Sequence, residues 1–169
     1  NLFDVSFIDL NNGIAVGGGG TILRTTNGGT TWTQQTSGTT LPLKGVSFND
    51  LNNATAVGSG IILGTTNGGA TWTQQASGIT NLYNVAFANI NNGITVGYNG
   101  TILRTTNGGI TWVSQLSGTT KHLRGVLFTD ANNGTLVGDV GTILQTSDGG
   151  ASWTFKSSGA TNNLYDVSF

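Results

Sequence analysis

Three arginines (Arg24, Arg104, Arg124), seven aspartates and a single histidine (His122) are the residues of this 169-residue chain best suited to chemistry. Three guanidinium groups would suit a grip on a carboxylate, and two carboxylates about 5 to 10 Å apart would suit glycoside cleavage. The spacing assembles neither. Arg24 and Arg104 hold one position of a repeat and Arg124 another, which reads as decoration of the repeat rather than a converging trio. Glu is absent, and Asp9, Asp50 and Asp130 stand beside Asn-rich turns, where capping is their simplest role. With one His and no Cys, no triad with a partner is recognisable and neither a two-His nor a thiolate metal site can form. "GGGGT" at 17–21 lacks the Lys and the following helix of a phosphate loop. The expectation is a protein that is not an enzyme, with no cofactor and no metal.

Composition narrows the partners. A net charge of −1 and a charged fraction of 8% leave no basic surface to gather phosphates, so nucleic acid is not expected. Solubility must come from Asn, Thr, Ser and Gln, a surface suited to an extracellular or cell-surface protein, with the periplasm as an alternative. Without cysteine, stability rests on packing and backbone pairing. No run of 18 apolar residues occurs, so membrane insertion is not expected. The chain lacks an initiator Met and starts in mid-pattern, so it reads as processed or cut from something longer.

The elements that must position any site are repeats. Trp recurs at 32, 72, 112 and 153, and the Phe closing each "V-x-F" at 7, 48, 87, 128 and 169, a period of 39 to 41 residues. Each unit holds four short β-branched or aromatic segments, in the first unit "LFDVSF", "GIAVG", "TILRTT" and "WTQQ", separated by Gly and Asn clusters. Asn-Asn-Gly at 11–13, 91–93 and 132–134 suits tight hairpins. A helical reading fails, because 28 glycines would each cost about 1 kcal/mol in a helix interior. The first segment carries apolar residues on both faces, as a sheet held between two others requires. This predicts an all-β fold, a β-propeller of four-stranded antiparallel blades over 1–40, 41–79, 80–120 and 121–162. A β-solenoid is the runner-up, disfavoured by a hairpin signal at every junction.

Two irregularities stand out. Before the Val of the first segment, odd units read "FD", "YN" and "YD" whereas even units read "KG" and "RG", and unit two is one residue short at "GSGI". "NLYDVSF" at 163–169 nearly duplicates "NLFDVSF" at 1–7, a fifth first strand after four complete blades. Such a strand is an adhesive edge, so self-association, continuation into a larger ring or displacement of residues 1–7 is expected.

The turn from third to fourth segment reads "TTNGGTTW" from Thr25, "TTNGGATW" from Thr65, "TTNGGITW" from Thr105 and "TSDGGASW" from Thr146. In each, the Asn or Asp is expected to accept hydrogen bonds from the Gly-Gly backbone, and the indole to cover the turn at the outer edge between blades. The residues so placed are Asn27 and Trp32, Asn67 and Trp72, Asn107 and Trp112, Asp148 and Trp153. The pattern resembles the Asp-box of bacterial neuraminidase repeats (BNR). With "V-x-F", "N-N-G", "A-V-G" and "G-T-I-L-R-T-T-N-G-G" it is similar, along the whole chain, to propellers of the photosystem II stability and assembly factors. The resemblance implies the fold more than the role. It does not imply sialic acid hydrolysis, because the Tyr-Glu nucleophile pair of neuraminidases cannot be assembled without Glu.

Recognition is expected on the opposite rim, where the fourth-to-first and second-to-third loops meet. Residues that break the repeat there are Lys44, Tyr83, Tyr98, Lys121, His122, Arg124 and Asp139, and Tyr and Arg are common interface anchors. The expected function is a non-catalytic extracellular module binding a protein or a glycan. The alternative is a structural subunit that assembles through the fifth first strand, and a glycosidase-related fragment ranks below both. Three N-x-T sequons, at Asn53, Asn99 and Asn133, follow from Asn-Thr-rich repeats.

Overall fold

A computed structural model describes residues 1–168, the side chains of 77–79 excepted; Phe169, the fifth of the periodic Phe residues, lies outside the described residues. The described chain is all-β, with three one-turn 3-10 segments at 18–20, 98–100 and 139–141. No described helix is long and apolar enough to cross a membrane. It divides into two compact units, Asn1–Asn81 and Leu82–Phe169.

The first unit opens with an antiparallel meander: β1 (Leu2–Phe7), β2 (Gly13–Gly17), β3 (Ile22–Thr25) and β4 (Thr33–Gln35). It continues with β5 (Leu43–Phe48), β6 (Ala54–Thr65) and the start of β7 (Thr73–Phe87). β6 covers both the second and third segments, because the shorter "GSG" connection has no room for the 3-10 turn of the other repeats and turns instead through Gly60 at φ +78°. β7 runs from one unit to the next, residues 73–81 pairing with β6 and residues 82–87 with β8 (Gly93–Gly97). The second unit adds β9 (Ile102–Thr105) and β10 (Val113–Gln115), then the meander β11 (Leu123–Phe128), β12 (Gly134–Gly138), β13 (Ile143–Thr146) and β14 (Thr154–Lys156).

The core of each unit lies between successive blades. In the first, Ile14, Val16 and Ile22 on one face of β2–β3 pack with Leu43, Val46, Phe48, Ala56, Leu63 and Trp72 of the following blade. The second repeats this with Ile94, Val96 and Ile102 against Leu123, Val126, Leu136 and Leu144. Alternate side chains of one strand reach opposite faces, so the apolar residues of β5 and β11 find neighbours, whereas Leu2, Val5 and Phe7 of β1 remain exposed.

Residues 163–168 form no strand ladder, in contrast to the expected fifth first strand. They nonetheless dock where a first strand belongs: Leu164 N–H donates to Gly138 O at 3.0 Å, and Tyr165 and Asp166 lie directly over Gly125 of β11. Among the described residues no ladder partner lies beside them.

Candidate binding rim

The two ends of each blade are built differently. At one end the Asp-box turn meets the first hairpin, with Gly28 N–H donating to Asn11 O, Gly68 to Asn52, Gly108 to Asn91 and Gly149 to Asn132, at 2.7 to 2.9 Å. Within the box, Thr25 Oγ1 donates to Asn27 Oδ1 at 3.0 Å and accepts the Gly29 N–H at 2.9 Å, while Asn27 Oδ1 takes the Thr31 N–H at 2.9 Å. The Gly-Gly backbone is therefore held by the buried Thr hydroxyl, and the Asn reaches past it to the residue before Trp. The sequence reading had given the Thr no part in this. Thr65, Thr105 and Thr146 repeat the arrangement. Trp72 and Trp112 donate from Nε1 to Gly69 O and Gly109 O.

The second box glycine also lets the preceding blade approach. A Cβ on Gly69, at φ +86°, would sit 2.8 Å from Ile14 Cδ1, and one on Gly150, at φ +81°, 2.8 Å from Ile94 Cδ1. Arg24 Nε donates to Gly68 O at 2.7 Å, so this arginine ties one blade to the next box. The box is a joint between blades as well as a turn.

Every aspartate of the chain is engaged. Asp9, Asp50 and Asp130 each accept two backbone N–H groups and an Asn side-chain amide in the first hairpin. The Asn12 and Asn133 amides, then the backbone groups, hold the Asp9 and Asp130 carboxyls below the usual range. Asp148 lies lower still, through Ser152 first and Thr146 second. Asp4 Oδ2 accepts Val46 N–H at 2.8 Å, and Asp166 accepts Val167 N–H at 2.9 Å. Asp139 pairs with Arg124.

At the other end the second-to-third turn meets the residues preceding a first strand: Gly18 N–H donates to Asn1 O, Ser59 to Pro42 O and Asp139 to His122 O. Each first strand also has a bulge after its opening Leu, between Leu2/Asp4, Leu43/Gly45, Leu82/Asn84 and Leu123/Gly125. The bulged residues are Phe3, Lys44, Tyr83 and Arg124, and Tyr165 is their sequence counterpart. A bulge re-aims its side chain away from the ladder.

In the second unit this geometry gathers most of the expected rim residues. The Arg124 guanidinium lies 5.6 Å from the centre of the Tyr83 ring and 5.0 Å from that of Tyr165. Its Nε and one terminal nitrogen donate to the two carboxylate oxygens of Asp139. That pairing raises the Arg124 pKa and lowers that of Asp139. His122 stacks on Tyr98 at 4.5 Å, meets Tyr83 edge-on at 6.2 Å, and accepts Asn99 N–H at Nδ1. Tyr98 and Tyr165 are exposed. Lys121 adjoins His122 and adds positive potential at Asp139. Lys44 occupies the bulge of β5 in the first unit. Sequence reading missed Tyr165 and Phe3, whose signal was the residue after Leu in every first strand.

Stacked four-stranded blades, an Asp-box at each third turn and bulged first strands on the opposite rim define a BNR-type β-propeller chain. Residues 1–79 match the family described as photosynthesis system II assembly factor YCF48. Among solved structures, "YCF48 bound to D1 peptide" superposes with a TM-score of 0.72 at 24% identity over 93% of this chain and 54% of that one. YCF48 from Cyanidioschyzon merolae gives 0.71 at 19% identity, over 98% and 60%. A GH74 enzyme from Niastella koreensis gives 0.80 at 18%, over 95% and 30%. No curated protein matches the sequence. Residues 1–79 thus resemble the YCF48 family, the chain shares the propeller fold of the structures it superposes on, and it spans little more than half the length of the YCF48 chains it matches.

Proposed function

We propose that this chain is a non-catalytic, protein-binding portion of a propeller in an exported compartment, and that it holds an extended peptide on the rim built by Tyr83, Tyr98, His122, Arg124 and Tyr165. The observation that carries this reading is the Tyr83–Arg124–Tyr165 stack. Arg124 is fixed by Asp139 and flanked by two rings, so its position is set before a partner arrives and little side-chain entropy remains to be lost. Tyr98 and Tyr165 add exposed apolar faces with polar tips beside it. A solved relative holds a D1 peptide, which supports peptide as the partner class. The non-catalytic reading rests on the aspartates, each already occupied by turn, box or arginine contacts. Low charge and an Asn/Thr-rich surface support export, to a cell surface, periplasm or thylakoid lumen.

An array of overlapping peptides covering D1 and unrelated sequences, probed in parallel with a glycan array, tests the reading. Peptide capture is expected, weakened at least about tenfold by Tyr165→Ala or Arg124→Ala, as for interface anchors. Capture on the glycan array alone, or peptide binding indifferent to both substitutions, would overturn it.

A further inference from the structure

The 3-10 turn between second and third strands has one shape in three blades and a different residue at its apex in each: Gly19, Asn99 and Val140, at φ +66°, +55° and +57°. Glycine meets this left-handed conformation without steric cost and asparagine tolerates it, but a β-branched residue is strained there. Among the described residues, Asn99 and Val140 alone adopt positive φ without being glycine.

The turn has no slack with which to relieve Val140. The next residue, Gly141, is also left-handed at φ +64°, and a Cβ on it would run into Ala160 O. All four backbone N–H groups from 139 to 142 are committed: Asp139 donates to His122 O at 2.9 Å, Val140 to Asn163 Oδ1 at 3.1 Å, Gly141 to Asn162 O at 2.7 Å and Thr142 to Asp139 O at 3.2 Å. The fold gains little packing in return for the strain. Val140 is 51% exposed and takes no part in the core cluster of its unit. Gly19 and Asn99 are exposed too, each with a further blade after it, so this exposure belongs to the turn and not to the place of the blade in the chain. Backbone strain that packing does not offset points to a side chain serving something other than the fold.

The surroundings of Val140 indicate what it serves. It follows Asp139, whose carboxylate fixes Arg124, and Tyr98 is the exposed apolar side chain of the corresponding turn one blade earlier. An aliphatic group therefore stands on the same rim as a fixed guanidinium and aromatic rings. We propose that Val140 is a specificity-determining residue of the rim, selecting peptides that carry an aliphatic side chain next to the residue held by Arg124. This rests on the peptide-binding reading above and adds to it a residue that reads the peptide's sequence. The isopropyl group and the side chain it meets leave water together, which favours the matching peptide by about tenfold.

Wild type, Val140→Asn and Arg124→Ala, each as the full chain, are used to select from a random peptide library, and their thermal melts are compared. Asn99 holds the same apex in the third blade, so the asparagine variant folds through a turn the chain already uses and should melt at or above wild type. Wild type should enrich peptides sharing one aliphatic position. Val140→Asn should lose that preference and bind the wild-type-selected peptides about tenfold more weakly. A melt clearly below wild type would assign the side chain to the fold and overturn the proposal. Equal enrichment by wild type and Val140→Asn, with Arg124→Ala capturing nothing, would overturn it too while leaving the peptide-binding reading standing. Capture of no peptide by wild type would overturn both.

Discussion

The box of the last blade holds a carboxylate where the other three hold an amide, and that difference makes its contribution titratable. Asp148 takes the Ser152 hydroxyl at 2.6 Å and its N–H at 2.9 Å, interactions that favour the ionised form and depress its pKa. A depressed folded-state pKa contributes stability that is full above the ordinary Asp value of about 4 and is lost as the pH falls below it. Denaturant melts at pH 6 and pH 3 should therefore show the advantage of wild type over Asp148→Asn shrinking on acidification, since the amide keeps the turn without the charge. Thr65, buried and serving both Asn67 and Gly69, gives a pH-independent counterpart. Thr65→Val should cost about 1 to 3 kcal/mol, the penalty for leaving buried polar groups unpaired. Trp72 is buried, and its removal should cost about 3 to 5 kcal/mol. Trp32, more exposed at the same repeat position, should cost clearly less in dilute solution, and thermal melts of the two alanine variants check the ordering.

At the scale of elements, the first hairpin is held by the same device in each repeat, with Asn89 standing where Asp9, Asp50 and Asp130 stand elsewhere. Asp50→Asn should thus be nearly silent, while Asp50→Ala, which strips the acceptor from Asn52 and Asn53, should cost about 1 to 2 kcal/mol by chemical denaturation. Period and turn positions were legible because each rests on local chemistry, with Gly and Asn where φ turns positive; the strand count was not, because β6 and β7 merge expected segments and residues 163–168 form no strand. The rim was legible in part. Tyr83, Tyr98, Lys121, His122, Arg124 and Asp139 announced themselves by breaking the repeat. The bulge that aims Tyr83 and Arg124 outward did not, because it depends on ladder register rather than on residue type. Tyr165 was hidden for a related reason: it was read as part of a spare strand, whereas its ring completes the stack on Arg124. Gly69 and Gly150 were read as turn residues alone, although their tight contacts with Ile14 and Ile94 come from blade packing, which no single repeat displays.

For the molecule as a whole, the two ends of the blades divide the labour. Asp-boxes and first hairpins lock turns and join neighbours at one end; at the other, the 3-10 turns close on the left-handed Gly20, Gly100 and Gly141, and the residue type changes from blade to blade at the bulges. Phe3, Lys44, Tyr83, Arg124 and Tyr165 are variations on one structural position, and under the proposed function partner choice would be written there. Hydrogen–deuterium exchange of the full chain with and without a peptide captured from the array tests this division most directly. Protection is expected in residues 97–100, 121–126 and 163–166, with the box turns at 25–32, 65–72, 105–112 and 146–153 unchanged. Protection concentrated in the box turns, with the rim unaffected, would contradict the account.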